Sequence, residues 1–485
     1  MVYSTRPVAA PPLLFPLAIT GDIPPGTTLQ GHAPTARCHT LLIPLEDGLN
    51  RKLAAVAAIA TVLVASACSS SGSSGDAKQA TLSKDGKGKK ITVWLMDDAQ
   101  KGWPSVVEAA KKQFKEETGA DVDIQWQTWT NYTTKLDTAL LSGNAPEVIE
   151  LGNTQTAKYI EAGSFVDLTG VKSQFENSDK YLDSLAASGQ TPDGSKTYAL
   201  PYYAGARVLI YRKDLFAAAG VANPPTTLAE LKDALTKVKA ANASVPNFSA
   251  LYLPGQNWYT AASFGAGTFG VKNIVAKSAG DKWTGTLTDP KFVEGVKVWN
   301  DLQKQFSVGG TTTDEATQDA LMAKGNIAAI VGNGWELGSV ADPKTGDPSL
   351  KDKLGSIALP GVAAGQPTPA FLGGSDLAVP AKSANPGLGA TFLQIFTNTK
   401  QQTELAKFAI PNAKNLVAAY KAAAPANKAT GDAAEGQTWF IPNSPMWSGA
   451  DETALKNAFG AIAAGGDPAA ELKKVEETVL KDLNG

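Results

Sequence analysis

The chain has 485 residues, room for two α/β lobes and a tail, and a formal net charge of −2, so no charge surplus points to nucleic acid or an anionic membrane. Its only histidines are His32 and His39, and its only cysteines are Cys38 and Cys68. If the first 67 residues are removed, no imidazole and one thiol are left, which excludes Ser-His-Asp triads, Cys-His nucleophiles, His-ligated zinc and an internal disulfide. Carboxylate chemistry alone survives as a catalytic option; we expect no catalytic residue, cofactor or metal.

Removal is implied by the pattern around residue 60. Arg51-Lys52 precede an uncharged apolar run, 53–67, that ends Ala65-Ser66-Ala67-Cys68. A basic start, an apolar middle and small residues before a junction make a secretory signal. Cysteine at the junction resembles a lipobox, with Ala65 where such boxes usually carry leucine. We therefore expect 51–67 to be a lipoprotein signal peptide, Cys68 to be the lipid-attachment residue, and 68–90, rich in Ser, Gly and Lys, to be a flexible tether. The apolar run is shorter than the roughly 20 residues that cross a bilayer, so the lipid would be the only membrane contact. Residues 1–50, proline-dotted and without periodicity, read as a mis-assigned upstream extension or a disordered one.

From residue 90 onward apolar periodicity alternates between two and about four. Ile91, Val93 and Leu95 predict a strand running into Asp97-Asp98; Val107, Ala110 and Phe114, between Pro104 and Gly119, predict a helix. Val122, Ile124 and Trp126 predict a second strand, Tyr132, Leu136 and Leu140 a second helix, and 148–151 a third strand. This βαβαβ rhythm predicts a mostly parallel sheet, whose ligands lie beyond the carboxyl ends of its strands, where Asp98, Trp129 and Asn153 fall.

Residues 198–211, Tyr-Ala-Leu-Pro-Tyr-Tyr-Ala-Gly-Ala-Arg-Val-Leu-Ile-Tyr, read as two short strands, 198–200 and 208–211, separated by a bendable crossover between lobes at Pro201 to Gly205. Thr227 with Glu230 is a capping box, Thr312 with Glu315 reads as another, and 326–331 is a strand ending Gly332-Asn333-Gly334-Trp335-Glu336. Crossovers back are expected at Pro360-Gly361 and near 410–412. The expected division is 91–202 with 361–410 for the first lobe, and 203–360 with 411–485 for the second. The fold class is thus α/β: a two-lobe, periplasmic-binding-protein-like fold with hinge crossovers and a central ligand cleft.

A pyranose ring has an apolar C–H face and a hydroxyl rim, so it calls for a flat aromatic with carboxylate or amide groups around it. Trp129, Trp258, Trp335 and Trp447 sit at element ends or in Gly/Pro/Asn-rich segments, and Trp335-Glu336 supplies the combination in two residues, whereas Trp94, Trp126 and Trp299 fall in apolar patterns and read as core. Asp97-Asp98 are adjacent, so as strand residues they would point to opposite faces and not to one scissile bond. Gly374 and Asp376, after Phe371-Leu372-Gly373, stand at a further strand, with a surface role for Asp376 equally open.

The stretches Ile91-Thr92-Val93-Trp94, Phe114 with Thr118-Gly119, Pro146-Glu147-Val148, 201–215, 325–335 and 371–380 together resemble the solute-binding proteins of carbohydrate ABC importers, the group that includes maltose-binding protein. Within it, 94–103 and Glu150-Leu151-Gly152-Asn153-Thr154 are most similar to lipoproteins that capture chitobiose and related N-acetylglucosamine oligosaccharides. The resemblance implies that Asp98 matches a ligand-contacting aspartate and Trp335 a stacking aromatic. Gly205 and Ala99 stand where maltose-binding protein has a contacting glutamate and lysine, so Tyr203, Tyr202 or Arg207 would contribute instead. It further implies a monomer outside the cell, lipid-anchored, that closes two lobes on an oligosaccharide and passes it to the transmembrane subunits of an ABC permease, without nucleic acid. Two other readings stay open: a secreted carboxylate-dependent glycoside hydrolase, and a binding protein for a non-sugar solute.

Overall fold

The computed structural model describes residues 78–485 apart from 268–269, 272, 279–281 and 440. The expected extension, signal and Cys68 lie outside the described residues. Of the stretch expected as a tether, 78–90 is fastened to the first lobe: Ala80 N donates to Asp167 O at 2.8 Å, Gln79 Nε2 to Asp167 Oδ2 at 2.8 Å, and Ser83 N to Thr391 Oγ1 at 3.0 Å.

In chain order the strands are β1 (Lys90–Met96), β2 (Asp121–Gln127), β3 (Val148–Gly152), β4 (Ala199–Arg212), β5 (Val275–Lys277), β6 (Trp283–Gly285), β7 (Ala329–Asn333), β8 (Leu354–Ile357), β9 (Ala370–Ala378), β10 (Ile410–Pro411) and β11 (Thr438–Trp439). β1 lies between β2 and β3 and runs parallel to both. Both of its faces are buried: Ile91, Val93 and Leu95 join one apolar cluster, Trp94 and Met96 another. The helix Pro104–Thr118 covers the first face with Val107, Ala110 and Phe114, and stops where Gly119 takes a left-handed φ of 73°. Tyr132–Leu141 covers the second with Tyr132, Leu136 and Leu140. Asp97-Asp98 do not end a strand; they open the short helix Asp97–Gly102, which puts two acids at its N-terminus.

The crossover is one strand, not two. β4 is buried along all 14 residues. Its first half pairs antiparallel with β9, from Ala199↔Ala378 to Ala206↔Leu372, and its second half with β7 and β8, from Arg207↔Asn333 to Arg212↔Leu354. Pro201, which has no N–H to give, is accommodated by a register shift between Pro201 and Tyr203, and its carbonyl accepts from Asn412 Nδ2 at 3.1 Å. One ribbon thus carries the chain from lobe to lobe.

The passage back lies within β9. Residues 360–369 stay with the second lobe, where Gly361 bridges Thr227 and Thr368 N donates to Leu359 O at 2.9 Å. Ala370 and Phe371 pair with β11, and the rest of β9 runs antiparallel between β3 and β4 in the first-lobe sheet. After β10, Ala413 and Leu416 still pack in the first-lobe core; the helices Val417–Ala423 and Asn427–Glu435 then lead to β11. The second-lobe core gathers Trp258, Phe292, Trp299, Trp439, Phe459 and Leu472 from helices far apart in sequence. Thr227 caps Leu228–Ala241 as the pattern predicts, accepting from Glu230 N at 3.2 Å. Thr312 and Glu315 cap nothing: the next helix is Gln318–Ala323, preceded by Thr317, because Glu315 is held by Arg207 instead.

Candidate ligand-binding site

On the first lobe, the short helix after β1 and the loop after β2 bring Asp98 and Trp129 together. Trp129 Nε1 donates to Asp98 Oδ2 at 2.7 Å, and the indole is 43 % exposed, held edge-on to Tyr132 with centroids 6.2 Å apart. The ring also lies over Gly152 at the end of β3: a Cβ there would be 3.7 Å from Trp129 Cζ3. A water-facing tryptophan fixed by a carboxylate is a preformed platform with an acceptor beside it. Burial, ahead of the opposing Trp129 hydrogen bond, raises the Asp98 pKa from its usual range.

At the junction of the lobes, Tyr203 stands edge-on to Trp103 (5.0 Å), Tyr202 (4.9 Å) and Trp335 (5.9 Å). Trp335, partly buried, rests directly over Gly205, where an added Cβ would fall 2.5 Å from Trp335 Cη2 and 2.7 Å from Asn333 Oδ1. Glycine at 205 therefore makes the space the indole occupies. Gly374 is needed for a similar reason, since a Cβ on it would collide with Tyr203 O.

On the second lobe, Arg207 is nearly buried, forked onto Glu315 through Nε and Nη2. Its guanidinium lies 4.4 Å from the Tyr259 ring and 5.1 Å from the Phe371 ring. Tyr259 in turn stacks on Trp258 at 4.2 Å.

Several residues expected at the ligand surface instead support it. Trp258 and Trp447 are core side chains, 6.3 Å apart and essentially without exposure, because the Pro- and Asn-containing segments around them fold inward. Asp376 is wholly buried, accepting from Thr156 Oγ1 at 2.6 Å and Ser188 Oγ at 2.8 Å, with its pKa pushed up to about 7 by burial. Glu336 folds back on its own turn, where Oε1 accepts from Asn333 N at 2.7 Å and Oε2 from Gln318 Nε2 at 2.8 Å; burial raises its pKa to about 8. Asn153 N donates to Gly374 O at 3.0 Å, and its side chain lines a cavity of about 20 Å³ with Ser188, Phe371, Ile441 and Asn443. That space suits one water, not a sugar ring.

Two further residues stand at the site without a signal strong enough to have marked them. Glu150, the lone charge in the apolar run Val-Ile-Glu-Leu of β3, is fully buried beneath Tyr203 and Asp98. Its Oε2 accepts from Met96 N at 2.8 Å, and burial pushes its pKa up to about 8. Glu452, on the helix Gly449–Ala463 of the second lobe, lies beside Thr154 of the first, with its pKa raised by burial. A larger groove of about 440 Å³, along the outer face of Tyr132–Leu141, contains none of these residues. Among the described residues no group of three or more His, Cys, Asp or Glu could hold a metal ion.

Compared with known families, residues 95–403 match the profile of the bacterial extracellular solute-binding proteins. The chain belongs to this family. As a member, it is 34% identical over 416 residues to the diacetylchitobiose binding protein DasA of Streptomyces coelicolor, covering 84% of this chain and 93% of that one. The sn-glycerol-3-phosphate-binding periplasmic protein UgpB of Agrobacterium fabrum is 31% identical over 180 residues, 35% of this chain and 38% of that one. Among solved structures, the GacH receptor of Streptomyces glaucescens GLA.O, described unliganded and with acarbose, gives a TM-score of 0.68 at 21% identity over 81% of this chain and 98% of that one. A solute-binding protein of Thermotoga lettingae TMO bound with α-D-tagatose gives 0.68 at 20% identity over 81% and 100%. The two-lobe, periplasmic-binding-protein-like fold expected from the sequence is the fold of these structures, and the family that the motifs resemble is the family found.

Proposed function

We propose that this solute-binding protein captures a chito-oligosaccharide between its lobes and releases it unaltered to an ABC permease, held at the outer face of the membrane by lipid on Cys68. The observation that carries the reading is the exposed Trp129 indole fixed by Asp98 at the carboxyl ends of the first-lobe strands, on a chain so similar over its length to a diacetylchitobiose binding protein. Trp129 offers its face to a sugar ring, Asp98 takes a hydroxyl, and Trp335 closes from the second lobe beside Tyr203. β4 and β9 are the ribbons that flex. Contacts from both lobes exist only when closed, so ligand shifts the population by its differential affinity for that state.

The test is titration calorimetry of N,N′-diacetylchitobiose against the mature chain, with a thermal-shift series from mono- to tetrasaccharide. Saturable binding and intact sugar after long incubation support capture. No binding of any member removes the proposal, and released monosaccharide establishes the hydrolase reading. For the anchor, incorporation of labelled fatty acid that is lost in Cys68→Ala supports attachment there; equal labelling of both excludes it.

A further inference from the structure

The charges along the cleft are unbalanced. From the first lobe come Asp98 and Glu150, and from the second come Asp319, Glu336 and Glu452. Asp319 lies near enough to Asp98, Lys101 and Glu336 to bear on the charge of each, and Asp98 bears on Glu150. Glu452 is the electrostatic neighbour of Tyr259, which carries Arg207. None of these five carboxyl groups takes part in an ion pair among the described residues. The cations that border them are engaged elsewhere: Arg207 with Glu315, Lys101 with Asp97 at 2.6 Å, and Lys456 with Asp314 at 3.2 Å.

Glu150 supplies a second, independent observation. Its side chain is wholly buried, Oε2 is taken by Met96 N, and Oε1 has no partner. The open oxygen belongs to the side chain that neighbours Tyr203, Ser375 and Asp98 at the base of the cleft. A buried acceptor of this kind is left wanting a donor.

Resting on the reading of the cleft as a chito-oligosaccharide site, we propose that it prefers a cationic amino sugar, a chito-oligosaccharide with free 2-ammonium groups, over the N-acetylated form. An ammonium carries three donors and a positive charge, whereas the acetamide in its place brings one N–H donor, no charge and an additional methyl group. Facing carboxylates on the two lobes repel as the lobes approach; a cation between them turns that repulsion into attraction that exists only in the closed state. The raised pKa of Asp98, Glu150, Glu336 and Glu452, due first to burial in every case, agrees with carboxyls that lack a counter-charge. A cationic ligand would lower them and drive protons off.

The experiment is calorimetric titration of the mature chain with the glucosamine disaccharide and, separately, with N,N′-diacetylchitobiose, at pH 6 and at low and high salt. The diamine is expected to bind about tenfold or more tightly, with the margin shrinking in salt and with protons released to buffer on binding the diamine. Asp319→Asn and Glu150→Gln are each expected to bring the two dissociation constants closer by about threefold or more, a ratio that a merely structural role would not move. Equal or tighter binding of the diacetylated sugar overturns this inference and leaves the proposed function standing. Variants that weaken both sugars by one factor overturn it as well, and failure of both sugars to bind overturns it together with the proposed function.

Discussion

Gly205→Ala puts the arrangement of the hinge under direct test. The new methyl would sit 2.5 Å from Trp335 Cη2 and 2.7 Å from Asn333 Oδ1, where carbon contacts settle near 3.5–4.0 Å, so the indole has to retreat by roughly 1 Å. Forcing a methyl into packed surroundings costs about 1–3 kcal/mol, or about 2–10 °C in the melting temperature of lobes this size. Trp335 also loses its edge-on seat against Tyr203, now at 5.9 Å, and a displaced platform is expected to weaken sugar binding about tenfold, or about 1.4 kcal/mol. The cause is isolated by a double-mutant cycle. In a Trp335→Ala background the clash is gone, and Gly205→Ala should become neutral or slightly stabilising, because alanine narrows the unfolded ensemble. Thermal melts and calorimetry on the four proteins decide it. An equal penalty in both backgrounds would refute the claim that glycine is there to seat the indole.

Trp129→Ala should weaken chito-oligosaccharide binding about tenfold, by calorimetry, with little change in melting temperature, because the indole is largely in water. Thr227→Ala should cost about 1 kcal/mol in denaturant melts and leave sugar affinity as it was, since it removes only the cap on Glu230 N. Burial puts Glu150 and Glu336 at about 8 and Asp376 at about 7 in the folded chain, above the ordinary carboxylate range. The folded state therefore keeps protons that the unfolded state has released, and these groups lower stability as pH rises from about 4 to about 8. Asp376→Asn should flatten that fall between pH 4 and 7, read as melting temperature against pH; a parallel curve would show that Asp376 does not titrate as described.

Helices were legible where one stripe of apolar side chains meets a sheet: Val107, Ala110 and Phe114 between Pro104 and Gly119 place their helix within a residue at each end. The crossover was located correctly but broken in two, because Pro201 and Gly205 are interruptions to a local pattern and only partners on both lobes, β9 on one side and β7 with β8 on the other, keep β4 continuous. Tryptophans in loops were over-read. A loop that turns inward looks in sequence like one that turns out, so Trp258 and Trp129 carried the same signal although one is sealed in the core and the other faces water. Glu452 was invisible for the opposite reason: an acid on an amphipathic helix is indistinguishable from its solvated face until Thr154 of the other lobe is placed against it. Glu150 was the missed opportunity, since a charge inside an apolar strand must find a compensating environment or keep its proton. Each of these misses concerns a side chain whose meaning is set by the opposite lobe. The same dependence makes the site a clamp: its chemistry is assembled only when β4 and β9 bring the two halves together.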